Sequence, residues 1–174
     1  MIKETKLVKV KIGNQEVGKL LLSNKNLCLF EYNREFISMG FSISPFYLPL
    51  KPGVFTAKRD PFNGLFGIFN DSLPDGWGNL LIDRYLRSKN IIPLNLSVLD
   101  RLSLVGSSGM GALEFEPNTA LKTAHEMTNL NQIANEIKKI LGEEESTSLA
   151  QLVQQAGSSG GARPKVFIHI DNEP

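Results

Sequence analysis

The sequence has few of the residues that build disulfides and metal sites. Its 174 residues include one cysteine, Cys28, and two histidines, His125 and His169. A single cysteine cannot form an intramolecular disulfide, and neither histidine lies in a spacing typical of metal ligands. We therefore expect no metal site and a reducing compartment. Cys28 lies in an apolar run, which predicts a buried strand position.

Long apolar runs and an excess of one charge are also missing. No stretch reaches the ~18 consecutive apolar residues of a membrane-spanning helix, and the first residues lack the apolar core of a signal peptide. The 19 basic side chains balance 18 acidic ones, for a formal net charge of +1. This balance does not favour nucleic acid or an anionic membrane as a direct partner. We predict a cytoplasmic protein with no membrane contact.

The N-terminal region has the pattern of an antiparallel β meander. Apolar and polar residues alternate over 7–12, and Gly13-Asn14 suits a two-residue hairpin turn. Residues 16–22 and 27–32 have the composition of two further strands. The fold class predicted from these strands and the helices below is α+β, with a meander or partly closed barrel packed with helices.

An aromatic segment, 40–69, follows the predicted strands. Its prolines lack a donor N–H and favour extended geometry in the preceding residue, which predicts extended loops with short edge strands. The aromatic side chains could cover an open side of the sheet, with a peptide-binding groove as the alternative. These side chains are Phe41, Phe46, Tyr47, Phe55, Phe62, Phe66 and Phe69.

A helix is predicted over 74–88. Ser72 can cap it, Pro74 suits its first turn, and Asp75 favours its positively polarised end. Asp71 and Asp75 could instead form a functional carboxylate pair, but capping explains Asp75 more simply.

The remaining elements are a short helix, a strand and two further helices. The predicted elements are a helix over 97–104, a strand over 112–115, a helix with Ile133, Ile137 and Ile140 that ends at Gly142, and a last helix with Leu149, Leu152, Val153 and Ala156. Polar residues over 118–128 predict a connector. Ser146 or Thr147 is expected to cap the last helix.

The last helix leads into a glycine-rich stretch that ends in two cations. The predicted phosphate-binding residues are Gly157, Ser158, Ser159, Gly160, Gly161, Ala162, Arg163 and Lys165. Glycine allows positive φ and close approach of backbone N–H groups to an anion, while the cations add charge. A flexible linker, or a helix C-cap followed by a turn, stays open as the alternative.

The residues after the last glycine exclude a P-loop NTPase. That motif needs a lysine and a Ser or Thr directly after its last glycine, at the start of a helix. Here Ala162, Arg163 and Pro164 follow, and residues 166–170 look like a strand. A glycine-rich loop between strands is the protein-kinase arrangement, whose catalytic lysine and aspartate come later in the chain. We therefore expect no catalytic residue within these 174 residues. A small nucleotide-binding protein is a weaker alternative.

Three longer stretches resemble the signature of HipA-like proteins. One is Pro61-Phe62-Asn63-Gly64-Leu65-Phe66-Gly67-Ile68-Phe69-Asn70-Asp71-Ser72-Leu73-Pro74-Asp75-Gly76-Trp77-Gly78, with Leu81-Ile82-Asp83-Arg84. Another is Leu99-Asp100-Arg101-Leu102, with Val105-Gly106 and Met110-Gly111-Ala112-Leu113-Glu114. The last is Ser158-Ser159-Gly160-Gly161-Ala162-Arg163-Pro164-Lys165. The resemblance covers about 5–170, in the family's order.

The resemblance implies a context and a domain organisation. HipA-like proteins are serine/threonine kinases, dependent on ATP and Mg²⁺, that act as toxins of bacterial type II toxin–antitoxin pairs and are associated with persistence. Their HipB-like antitoxin is a helix-turn-helix repressor that holds the toxin on operator DNA, so DNA would be an indirect partner. Residues 1–117 would be the N-terminal subdomain, 118–128 a connector, and 129–174 the beginning of a kinase N-lobe.

The resemblance also implies roles within the glycine-rich stretch. It would be the loop that covers the nucleotide, with Ser158 at the autophosphorylation position and Ser159 as second choice. We expect the N-terminal regulatory portion of such a kinase, inactive without the C-terminal kinase lobe as partner, and no firmly bound cofactor of its own. The alternative is a free-standing, antitoxin-like regulatory subunit that binds a separate kinase.

Overall fold

The computed structural model describes residues 4–109, 111–119, 129–144, 146, 148–156, 161 and 163–167. The chain divides into two compact units. The first, the sheet unit, comprises Met1–Leu73 and Leu94–Ala120. The second, the helical unit, comprises Pro74–Pro93 and Leu121–Pro174. The predicted boundaries at 117 and 129 concern functional parts of the chain, which differ from these compact units, and they stay a prediction.

A single antiparallel sheet forms the sheet unit. Its strands are β1 (Leu7–Ile12), β2 (Gln15–Leu22), β3 (Cys28–Tyr32), β4 (Val54–Thr56) and β5 (Leu113–Glu116). They lie in the order β4-β3-β2-β1-β5, so consecutive β1, β2 and β3 form the predicted meander. The sheet is open, with β4 and β5 at its edges, and the predicted barrel closure is not confirmed.

The hairpin between β1 and β2 follows the local sequence closely. Gly13 adopts φ +55° in the predicted turn, and the register pairs Val8 with Leu20 and Val10 with Gly18. Gly18 also meets a packing requirement, because a Cβ there would overlap the Glu31 carbonyl and the Phe30 ring. Glycine at this position lets β2 and β3 approach each other.

One face of the sheet packs against short helices to form the larger core. These helices are α1 (Arg34–Ile37), α2 (Gly67–Asn70) and α4 (Val98–Val105). Fully buried members of this core include Val8, Val10, Leu20, Cys28, Phe30, Phe69, Leu99 and Leu102. Burial raises the pKa of the Cys28 thiol to about 12. The buried strand position predicted for Cys28 is therefore confirmed.

Helix α4 begins with a capping box. The Ser97 hydroxyl accepts a hydrogen bond from Asp100 N, and the Asp100 carboxylate accepts one from Ser97 N at 2.8 Å. Asp100 also accepts from Thr5 N at 2.8 Å, which ties the residues before β1 to this helix. Burial would raise the pKa of Asp100, but the hydrogen bonds from Ser97 and Thr5 outweigh it and lower the pKa.

In the described residues of the helical unit, three helices surround a smaller core. They are α3 (Gly76–Ser88), α5 (Leu130–Leu141) and α6 (Leu149–Gln155). Trp77 and Leu81 from α3 are buried with the following residues from the C-terminal segment: Ile133, Ile140, Leu152 and Ala156. The sequence did not predict that the 74–93 segment would pack with the C-terminal helices.

Several local predictions need correction. Helix α3 begins at Gly76 with Asp75 as its N-cap, and Ser72 does not cap it. Ser148 is the N-cap residue of α6 and makes no side-chain cap bond, so Ser146 does not occupy the predicted cap position, although its hydroxyl accepts a hydrogen bond from Ser148 N at 3.3 Å. Thr147 lies outside the described residues.

The predictions for the aromatic segment and the last strand hold only in part. The segment supplies β4 as a short edge strand, but α2 was not predicted. Val166 and Phe167 are not in a strand, and 168–170 lie outside the described residues. In the part of the chain that the structure describes, no helix is long and apolar enough to cross a membrane.

Candidate functional site

The glycine-rich loop starts and ends within the helical unit. Helix α6 leads into it, and Ala156 at the C-cap is buried in the smaller core. On the far side of the loop, Phe167 N donates a hydrogen bond to Gln155 O at 2.7 Å. Val166 packs against the same core. These contacts fix both ends of the loop against one apolar cluster.

Three of the predicted phosphate-binding residues lie within the described chain. Gly161 adopts φ +94°, a backbone conformation that side-chain-bearing residues rarely take. Arg163 is exposed, whereas Lys165 is partly buried. The remaining predicted residues, Gly157, Ser158, Ser159, Gly160 and Ala162, lie outside the described residues, including both candidate phosphorylation sites.

Lys165 forms an ion pair with the residue that caps α3. Its Nζ lies 2.9 Å from Asp75 Oδ2, and the two side chains are 28% and 6% exposed, respectively. The other carboxylate oxygen, Asp75 Oδ1, accepts a hydrogen bond from Gly78 N at 2.8 Å. Asp75 therefore binds the first turn of α3 through one oxygen and the loop lysine through the other.

The electrostatics of Asp75 favour the ionised carboxylate. Burial raises its pKa, but hydrogen bonds from the Gly78 and Trp77 N–H groups, together with the Lys165 ammonium, lower it below the ordinary value. The helix dipole adds to this effect, because a negative charge is favourable at a helix N-terminus. At neutral pH Asp75 is therefore ionised.

A second carboxylate, Glu136 on α5, is held in the same unit. It accepts hydrogen bonds from Lys139 Nζ and from Ser146 Oγ, each at 2.6 Å. The hydrogen bond from Lys139, then that from Ser146, lowers the pKa of Glu136 against the effect of burial. Ser146 therefore ties the connection between α5 and α6 to α5.

The sequence did not reveal the pairing of Asp75 with Lys165. The two residues are far apart in the chain, and each had a sufficient local explanation, Asp75 as a cap and Lys165 as a loop cation. The only available signal was that both belong to stretches of the family signature. The prediction that Asp75 caps the helix, as opposed to forming a functional pair with Asp71, is confirmed.

The aromatic segment of the sheet unit divides into buried and exposed parts. Phe66 and Phe69 lie in the larger core. Phe46 and Tyr47 are 94% and 72% exposed, and Met39 and Phe41 are also exposed. The apolar side chains therefore do not all cover the sheet, and those of 39–47 that face solvent form a candidate interaction surface.

No metal centre accompanies the loop in the described part of the chain. Among the described residues, no three His, Cys, Asp or Glu side chains come together as ligands. The described part of the loop contains a glycine with positive φ, one exposed arginine and one lysine paired to a helix cap.

The protein is of the mixed α/β class. One unit contains an open antiparallel sheet, and the other contains helices that lead into the glycine-rich loop. The family model of the HipA N-terminal domain matches residues 8–116, from within β1 to the last residue of β5. The chain belongs to this family, and the resemblance of the two stretches that lie within residues 8–116 is confirmed. The comparison with curated proteins gave no match. The glycine-rich loop lies beyond the matched residues.

Proposed function

We propose that this chain is the N-terminal regulatory portion of a HipA-like serine/threonine kinase, the toxin of a type II toxin–antitoxin pair. The observation that carries the proposal is the family match over 8–116. In this proposal, 129–174 begin the kinase N-lobe. The C-terminal kinase lobe and a HipB-like helix-turn-helix repressor are the partners, and operator DNA is reached only through the repressor.

The proposed role of the glycine-rich loop is to cover the phosphates of ATP bound with Mg²⁺. The positive φ of Gly161 and the exposed Arg163 support this role, because backbone N–H groups and a guanidinium are the groups that bind phosphate oxygens. Phosphorylation of Ser158, or of Ser159 as second choice, would add about −1.5 to −2 charges. Repulsion from the nucleotide phosphates would then hold the loop away from its covering position.

The 174-residue chain is proposed to be inactive as a kinase by itself. Phosphoryl transfer depends on groups that position Mg²⁺, the phosphates and the substrate hydroxyl, and in protein kinases these follow the glycine-rich loop. The test is incubation of the purified chain with labelled ATP and Mg²⁺, followed by mass spectrometry of the loop peptide. No phosphate at Ser158 or on a substrate protein is the expected result. Incorporation that survives repurification and is lost in an Arg163→Gln variant would contradict the proposal, because it would be activity of the chain itself.

A free-standing regulatory subunit that binds a separate kinase is the second candidate. The exposed apolar side chains of Met39, Phe41, Phe46 and Tyr47 favour it, since such surfaces commonly mark protein contacts. The coding DNA after codon 174 separates the two candidates. An open reading frame with the remaining kinase motifs supports the kinase portion, and a stop codon before a separate kinase gene supports the subunit.

A further inference from the structure

We propose that Asp75 is a positioning residue that holds Lys165, so that Lys165 anchors the glycine-rich loop and Arg163 is the loop cation that contacts nucleotide phosphate. The assignment of Arg163 rests on the proposed function. The anchoring role of Lys165 does not, because it follows from contacts within the helical unit alone.

The release of Lys165 from Asp75 would be costly. Asp75 is 6% exposed at its side chain and receives the ammonium at 2.9 Å. A lysine that moved to a ligand phosphate would leave this buried carboxylate with only its backbone donors. Breaking one side of a buried pair is far more costly than the pair's net contribution to stability. Lys165 is therefore poorly placed to serve as a mobile phosphate ligand.

Lys165 lies next to the contacts that close the loop. Phe167 N donates to Gln155 O, and Val166 packs in the core that contains Trp77. Lys165 is the residue directly before this closure, and its Nζ lies 3.5 Å from the position that a Cβ on Gly161 would occupy. The Lys165 side chain thus lies beside Gly161 and joins this end of the loop to the N-cap of α3.

The two cations of the loop differ in exposure and in partner. Arg163 is exposed, and its guanidinium offers several donors in a plane that matches phosphate oxygens. Lys165 is 28% exposed and is directed to Asp75. Within residues 163–165, Lys165 therefore anchors the loop and Arg163 is available to contact the ligand.

The anchor is tested by amide hydrogen exchange at Phe167 in the 174-residue chain, measured by NMR. Asp75→Asn keeps an acceptor for the α3 cap but removes the charge, and Lys165→Met keeps the length of the side chain. Each substitution should speed exchange about tenfold, and the double variant no more than either one, since both remove one interaction. Asp71→Asn and Lys51→Met, at exposed positions, are the matched controls and should leave the exchange rate unchanged.

Two results of this experiment overturn the anchor. One is unchanged exchange at Phe167 in both single variants. The other is multiplication of the two effects in the double variant, which would show that Asp75 and Lys165 act independently.

The ligand role is tested separately by titration of Mg²⁺-ATP into the same variants. Arg163→Gln should weaken binding about tenfold, the loss typical of a charge-assisted hydrogen bond, while Lys165→Met changes it less than threefold. Tighter binding by Asp75→Asn would overturn the assignment, because it would mean that Asp75 competes with phosphate for Lys165. No binding of Mg²⁺-ATP by the unaltered chain overturns the assignment of Arg163 as a phosphate ligand within this chain. The nucleotide-covering function, which includes the C-terminal kinase lobe, is then decided by the same titration with that lobe present, and the exchange result still decides the anchor.

Discussion

The two compact units bring distant parts of the chain together by different means. In the sheet unit, strands and short helices converge on an extensive apolar core that includes Phe30, Phe69 and Leu102. The helical unit has a smaller core around Trp77, and there the carboxylates Asp75 and Glu136 bind lysines. The sheet unit should therefore lose most from a loss of buried apolar volume, and smaller losses are expected from single polar contacts in either unit.

The largest effect is expected from a cavity in the sheet unit. Phe30→Ala removes a fully buried ring that lies 4.8 Å from the Tyr32 ring and 5.2 Å from the Phe69 ring, centroid to centroid. The free energy of unfolding should fall by about 3–5 kcal/mol, measured by urea denaturation with far-UV circular dichroism. Phe46→Ala, at a 94% exposed ring, is the control and should change it by less than about 0.5 kcal/mol. Equal effects of the two substitutions would contradict the assignment of the core.

A smaller effect is expected at the buried capping box of the same unit. Asp100→Ala leaves Thr5 N and Ser97 N without their carboxylate acceptor. The loss should be about 2 kcal/mol of unfolding free energy, by the same denaturation measurement. Asp60→Ala, at an exposed position, serves as the control. A loss at Asp100 no greater than in the control would show that apolar burial alone maintains the sheet unit.

In the helical unit, Glu136→Gln should cost about 1 kcal/mol, because it weakens the charge-assisted bonds from Lys139 and Ser146. The single tryptophan of the chain, Trp77, lies in this unit, so its fluorescence during urea denaturation provides the measurement. Glu116→Gln is the matched control, because Glu116 pairs with Lys11 at a side-chain exposure of 46%. No measurable change is expected there. A larger loss of unfolding free energy at Glu116 than at Glu136 would contradict the expectation that the less exposed carboxylate contributes more.

The smallest expected effect is the pH dependence that Asp75 adds. Its pKa is lowered in the folded state, so the stabilisation is complete above the unfolded pKa of about 4 and is lost as pH falls through the folded value. The difference in unfolding free energy between the unaltered chain and Asp75→Asn should therefore shrink on acidification from about pH 6 to 3. Trp77 fluorescence at a series of pH values measures it. A difference that grows towards low pH would contradict the sign of the pKa shift.

Much of the local structure could be predicted because short-range patterns encode it. Alternation in 7–12 and the Gly13-Asn14 turn predicted the first hairpin, and apolar spacing located α3, α5 and α6. Cap positions were less predictable, because Ser72 and Asp75 both suit a helix start and packing selects between them. Helix α2 was not predicted, because the prolines and aromatic residues near it favour an extended conformation.

The candidate site shows the same division between local pattern and long-range packing. Residue types alone identified the glycine-rich loop and its two cations, because positive φ and positive charge are properties of Gly161, Arg163 and Lys165 themselves. Which cation pairs with a carboxylate depends on Asp75, which lies directly before α3. No local sequence pattern specifies the distance in space between Asp75 and the loop. Only burial of Trp77 and Leu152 in one core brings the first turn of α3 to the end of the loop. Tertiary packing therefore determined that Lys165 meets Asp75 while Arg163 faces solvent.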